Sequence, residues 1–489
     1  MPETKIDIKL EDTYGQLPAA MYSRVMPTKV KAPALVLFNH KLAAELGLPA
    51  HEAALAAWEQ ILAGNAVPEG WQPLAMAYQG HQFGYPNMLG DGRALLLGEL
   101  LKLDGQRVDI QLKGAGLTPY SRRGDGRAAL GSMLREYLYS EALHGLGIPT
   151  TRSLAVVATG QPVFREKMEA GAVLTRIAAS HLRVGTFEYA VNNLSLAEYQ
   201  QFLQYTIKRH YPALTDAPAE GQALAFLQAV MERQASLVAQ WMGVGFIHGV
   251  MNTDNMSIAG QTIDYGPCAF MNTYHPNTVF SSIDTGGRYA YGQQPGIAHW
   301  NLAVLAGTLL PLIHENEEQA TVKAQETLQE FPRMYLQAWM QVMRNKLGLA
   351  ERQQEDKALV IDLLDWMQAN AADYTNTFVH LQLTELPLLS AYQQDDFKQW
   401  YQRWRQRTEE QPGGIAAARK IMQQHNPQYI ARNYLVEEAL QQATELADLK
   451  PLMQLLDILS QPYQQQAVAD KFTQPPTGGD AGYKTFCNT

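Results

Sequence analysis

The sequence predicts an α+β chain of two lobes, a strand-rich first lobe and a large helical second lobe. Three observations predict it. Short apolar runs bounded by glycine, MLGDGRALLLGEL (88–100) and RVDIQLKGAG (107–116), read as strand, turn, strand. The segment ALGSMLREYLYSEALHGL (129–146) places apolar residues at 130, 133, 134, 137, 138 and 142, the spacing of one helix face. Beyond residue 196 the chain turns mostly helical, and after about 297 scarce glycine and apolar helical spacing continue to about 460.

Taken in order, HEAALAAWEQILAG (51–64) is a short amphipathic helix closed by Gly64. The strand at 107–113 carries Val108, Ile110 and Leu112 on one face and ends on Lys113 beside glycines. Gly147 and Pro149 stop the 129–146 helix. Strands are expected at SLAVVAT (153–159) and AVLTRI (172–177), then helices over LAEYQQFLQYTIKRHY and ALAFLQAVMERQASLVAQWMGVG. The expected division is an N-terminal extension (1–75), a first lobe with nucleotide loops (76–185), a helical catalytic core (186–325), a further helical part (326–470) and a mobile Pro/Gly-rich tail (471–489).

Composition narrows the function classes. With 489 residues, 46% hydrophobic and 18% charged, the chain can bury large cores. A net charge of −9 argues against a broad nucleic-acid footprint. Two cysteines, Cys268 and Cys487, do not make a disulfide scaffold. The start, MPETKIDIKLEDTYGQL, lacks a secretory pattern, and the apolar run LAVLAGTLLPLI (302–313) is too short to span a bilayer. The expectation is a cytoplasmic monomer with no nucleic-acid or membrane partner.

The segment HGVMNTDNMSIAGQTIDYGP (248–267) carries the chemistry. IDYG has the form of the kinase D-F-G metal motif, so Asp264 is a candidate Mg²⁺ ligand, with Asn255 nine residues upstream as a second hard oxygen. That spacing suits a short hairpin, with strands near MSI and QTI. In a kinase loop the catalytic Asp lies five residues before the Asn, yet that position is Val250. Lys113 at a strand end and Glu136 on the following helix are the expected phosphate contact and its ion-pair partner. YSRRGDGRAALGS (120–132) joins arginines and glycines just before that helix, which suits an anion, and Gly90-Asp91-Gly92-Arg93 is a smaller nest. Arg176 and Arg183, seven apart, would share a face on a helix. His248 and His81 read as packed or hydrogen-bonded residues, and no Cys/His spacing suggests zinc. Ordinary phosphoryl transfer wants a carboxylate at 250, and a noncatalytic scaffold would be expected to have lost Lys113, Glu136, Asn255 or Asp264.

Several strings are similar to the selenoprotein O family, bacterial branch: GHQFGYPNMLGDGRA, QLKGAGLTPYSRRGDGRAALGSMLREYLYSEALHGLGIPTTRSL, HGVMNTDNMSIAGQTIDYGPCAFM and GQQPGIAHWNLAVLA. The resemblance covers most of the chain. It implies a protein-kinase-like bilobal fold that binds ATP inverted and transfers AMP to Ser, Thr or Tyr hydroxyls of proteins, releasing pyrophosphate. It implies nucleotide contacts at Gly90, Gly92, Arg93, Lys113, Asp125, Gly126, Arg176, Arg183 and Asp264. It also implies Mg²⁺ or Mn²⁺ on Asn255 and Asp264, and Asp254 as base. Some members carry selenocysteine near the C-terminus, where this chain has Cys487, and a Cys268–Cys487 disulfide that gates the site is the corresponding expectation.

Overall fold

The computed structural model describes residues 6–216 and 218–486. The first lobe is an antiparallel sheet. Its strands run Tyr22–Arg24, Leu74–Met76, Ala94–Leu101, Arg107–Lys113, Met168–Ala178, Arg152–Phe164 and Ala34–Phe38 in spatial order, and Ala128–Ala129 pairs with Met168–Ala178. Register puts Lys113 opposite both Ala94 and Leu174, in the middle of the sheet. The strand at 94–101 is buried up to its last residue and the strand at 168–178 from Gly171 onward, so they lack the clean alternation of a half-exposed strand.

One helix, Leu130–Gly145, crosses this sheet. The apolar face read from the sequence is buried at Leu130, Met133, Leu134, Tyr137, Leu138 and Ala142. It stops where Gly147 takes φ +72°, while Ile148 N–H returns to the Leu143 carbonyl. Two late helices, Asn433–Glu445 and Lys450–Ser460, pack on the same helix. A methyl on Gly145 would sit on the Leu459 carbonyl oxygen, so this approach needs glycine. The far C-terminal helices therefore brace the helix that carries Glu136.

The second lobe is helical. Ala219–Val244 packs against Gln294–Ile313 and Phe331–Lys346. The apolar stretch Tyr291–Ile313 is long enough to cross a bilayer by length and composition, and here it buries Ala298, Leu302, Leu305 and Leu309 in the lobe. Helix Leu196–His210 opens on a Ser195–Glu198 capping box and carries Arg209 in its last turn. Arg209 pairs with Glu99 (2.8 Å) and Asp109 (2.6 Å) on two sheet strands. Glu99 also accepts from Tyr14 N–H at 2.8 Å, which fastens the N-terminal extension to the same junction.

The end of the chain differs from the mobile tail expected of a Pro/Gly-rich stretch. Asp480 accepts from Asn272 through both its backbone N–H (2.7 Å) and its amide (2.6 Å). Tyr483 donates to Glu437 at 2.6 Å, and Thr485 donates to the Pro267 carbonyl at 2.7 Å. Individual polar side chains in the tail find specific partners, which composition alone does not reveal. Cys487 lies outside the described residues.

Candidate active site

Helix Ala219–Val244 ends at Gly245, φ +72°, and a two-residue strand, Phe246–Ile247, leads into the loop that holds Asp254 and Asn255. His248 is buried, and its Nε2 lies 2.9 Å from the Ile263 carbonyl, so it fixes this loop to the segment entering Asp264. The hairpin expected between Asn255 and Asp264 does not form. Ser257 bridges to Arg183 and Thr262 to Thr150, so the two arms pair with other parts of the chain. Asp264 itself adopts φ +65°, a left-handed conformation that Asp tolerates better than most residues.

Five charged side chains converge there. Lys113 Nζ donates to Glu136 Oε2 (2.6 Å) and Asp264 Oδ1 (2.9 Å). Arg176 Nη1 donates to the same Asp264 oxygen at 2.8 Å and to Glu136 Oε1 at 3.3 Å. Arg183 Nη1 lies 3.6 Å from Asp264 Oδ2. Burial alone would raise the Asp264 carboxyl; Lys113, Arg176 and Arg183 together hold it well below the usual carboxylate range. The two arginines do not share a helix. Arg176 sits in the strand Met168–Ala178, and Arg183 caps the helix Val184–Asn193. They meet because the chain turns between them, not because of a seven-residue period.

Asp254 stands beside this cluster on the short turn Thr253–Asn255. Arg183 donates to its backbone carbonyl at 3.1 Å. Burial pushes the Asp254 carboxyl up to about 6, against the pull of Arg183, and Oδ1 is buried without a hydrogen-bond partner. A methyl on Gly80 would lie 2.5 Å from that oxygen, so the hairpin Gln79–Met88 closes directly over the carboxylate. Asn255 gives its amide N–H to the Val250 carbonyl at 3.0 Å, which leaves the amide oxygen as the group to offer a hard cation.

The glycine-rich positions are closely packed. Gly90, φ +106°, packs under the Tyr120 ring, and Gly126, φ +69°, packs on Gly116; a side chain at either would collide. Gly92 abuts the Tyr120 carbonyl, and the Arg93 carbonyl accepts from Gly114 N–H at 2.7 Å. Asp125 pairs with Arg165 at 2.9 Å and caps Arg127 N–H at 2.9 Å, so it holds the loop instead of touching the Lys113 cluster. Cys268 is buried, four residues past Asp264, and burial pushes its thiol up to about 12.

Two positioning residues, Gln111 and Tyr78, are not marked by any sequence motif, and Asp91, read there only as part of a small anion nest, acts with them. Gln111 is fully buried and accepts from Arg176 Nε (3.1 Å) and Nη2 (2.5 Å) while donating to Asp91 Oδ2 (3.1 Å). The signal was present, since Gln111 lies two residues before Lys113 on the same strand face. Asp91 is buried, and its carboxyl is pushed up to about 6 by burial, with Arg183 opposing. Tyr78 presents its ring to the Arg183 guanidinium at 4.6 Å, a contact that no local pattern announces.

Comparison with known proteins bears on this geometry. A family model described as "Protein adenylyltransferase SelO" matches residues 4–460. The protein nucleotidyltransferase YdiU of Anoxybacillus flavithermus is 54% identical over 479 residues, covering 98% of each chain. That of Geobacillus kaustophilus is 52% identical over 483 residues, covering 98% of this chain and 99% of its own. That of Nitrosococcus oceani is 51% identical over 489 residues, covering 100% and 99%. A solved structure titled as ROP2 from Toxoplasma gondii overlays with a TM-score of 0.23 at 11% identity, covering 69% of this chain and 82% of that one, too loosely to bear on fold or function. With Lys113 paired to both the helix residue Glu136 and the loop residue Asp264 between an antiparallel lobe and a helical lobe, the chain has a protein-kinase-like bilobal fold and belongs to the SelO family of protein adenylyltransferases.

Proposed function

We propose that this chain moves AMP from ATP onto Ser, Thr or Tyr hydroxyls of protein acceptors, with ATP inverted relative to its pose in a kinase. The observation that carries this is the meeting of Lys113, Arg176 and Arg183 on the one carboxylate of Asp264. A kinase-type site needs one lysine there. Three cations suit the β- and γ-phosphates, and the α-phosphorus then faces the Asn255–Asp254 side. The acceptor oxygen bonds to the α-phosphorus, the bond to the β-phosphate oxygen breaks, and pyrophosphate leaves against Lys113, Arg176 and Arg183.

Val250 removes the usual kinase base, and Asp254 supplies a carboxylate whose Oδ1 has no other partner. It takes the acceptor proton. Asn255 and Asp264 fit Mg²⁺ or Mn²⁺, since both offer hard oxygens; a bound cation would neutralise phosphate charge. Gly90, Gly92, Arg93, Asp125 and Gly126 shape the mouth through which the nucleotide enters. Mass analysis of an acceptor protein after incubation with ATP tests the reading. An AMP adduct on a hydroxyl residue supports it, and a phosphate adduct overturns it.

Redox control of the same site belongs to this proposal. Thr485 holds the tail at Pro267, next to Cys268, so a Cys268–Cys487 disulfide would fasten the tail beside the Asp264 segment. Two free thiols in a non-reducing peptide map of oxidised protein would remove that control.

A further inference from the structure

The carboxylate expected to bind metal is already held by cations. Asp264 Oδ1 receives Lys113 and Arg176, and Oδ2 faces Arg183. Glu136 is the other carboxylate that Lys113 and Arg176 touch, and Asp91 and Asp254 lie near Arg183. A bare divalent cation entering here meets Lys113, Arg176 and Arg183 around the Asp264 oxygens and must break two short ion pairs. Among the described residues no group of three or more His, Cys, Asp or Glu is arranged to hold a metal ion. Asn255 and Asp264 supply two protein oxygens, and a Mg²⁺-type ion completes its shell from phosphates and water.

Asp264 thus occupies the place of a phosphate. A triphosphate brings several negative charges and competes for the same three cations. Once Lys113, Arg176 and Arg183 turn to phosphate oxygens, the Asp264 carboxylate is free to hold a cation.

We propose that the metal site is latent: Lys113, Arg176 and Arg183 lock Asp264 against divalent cations until a nucleotide's phosphates draw them away. This rests on the proposed nucleotide pose and adds the order of assembly. Linkage makes the coupling reciprocal, so metal strengthens nucleotide binding by the same factor, on the order of 10- to 100-fold. The lock also makes an unusual demand. Removing one of its cations should make the protein a better binder of bare metal, although the same change harms nucleotide binding.

The test is Mn²⁺ binding, read from the free-ion electron paramagnetic resonance signal. It uses the full chain with and without α,β-methylene-ATP, and an Asp264→Asn variant defines which binding is specific. The expected result is no Asp264-dependent Mn²⁺ binding by the wild type alone at concentrations that saturate it with the analogue. Lys113→Met and Arg176→Gln, made separately so that one unfolded variant does not end the test, should each bind Mn²⁺ alone at least about tenfold more tightly than the wild type. Equal Asp264-dependent affinity in the wild type with and without analogue overturns the proposal, as does weaker bare-metal binding in both folded variants. Analogue binding is followed in parallel by thermal shift in EDTA and in Mn²⁺. An analogue that binds under neither condition refutes the nucleotide reading, while the bare-metal comparison of wild type and variants still decides whether the lock exists.

Discussion

Asn255 donates its side-chain N–H to the carbonyl of Val250, 3.0 Å away. The position where a kinase keeps its catalytic aspartate thus contributes a backbone oxygen, and that oxygen orients a candidate metal ligand. Asn255→Ala should lower AMP transfer by about 100-fold or more. Because Asn255 is only half-buried, the thermal midpoint should fall by a few degrees at most. Parallel activity and melting measurements check this, and a collapse of the fold without a specific loss of transfer would contradict it.

Gly80 tests the role of Asp254 without touching the carboxylate. A methyl at Gly80 would lie 2.5 Å from Oδ1 and 2.9 Å from Cγ. Gly80→Ala must push the carboxylate aside, and transfer should drop by about 100-fold while ATP binding persists. Single-turnover rates beside nucleotide titrations separate the two effects.

Gln111 accepts from Arg176 through two guanidinium nitrogens. Gln111→Leu removes both acceptor contacts and also strands Asp91 without its amide donor. The KM for ATP should rise by about tenfold or more, since hydrogen bonds to charged groups are worth roughly 1.5–3 kcal/mol. An unchanged KM with a purely structural loss would show that Arg176 needs no such support.

Asp91 gives a pH signature. Its carboxyl is raised from 3.8 in an unperturbed state to about 6 in the folded protein. Between those values the native state holds a proton that the unfolded state has lost, so stability falls as pH rises through this window and stays lowered above it. Asp91→Asn keeps an oxygen for Met76 N–H and Gln111 and removes the charge. It should match the wild type near pH 4 and gain roughly 2 kcal/mol by pH 7. Urea unfolding at several pH values reads the difference, and a gain independent of pH would refute the assignment.

Lys113, Glu136, Asn255 and Asp264 were legible in the sequence because each sits in a short local pattern: strand end, helix face or D-Y-G loop. Arg176 and Arg183 were legible by type but not by placement. The strand around Arg176 is buried on both faces, so its periodicity is lost, and a seven-residue interval suggested a helix that does not exist. The failed hairpin after Asn255 has a similar origin, since its arms pair with Thr150 and Arg183, distant in sequence. Gly80 over Asp254, Tyr78 under Arg183 and the 433–460 helices behind Glu136 are contacts between remote segments. Local propensity carries no trace of them.

AMP transfer is tested most simply by supplying the protein with Mg²⁺, reductant and ATP labelled at either the α- or the γ-phosphorus, with Asp264→Ala as control. Covalent label should appear on protein from α-labelled ATP alone and be absent in the variant. Covalent label from γ-labelled ATP alone would mean phosphoryl transfer, and Arg176, Arg183 and Asp254 would then have to serve other roles.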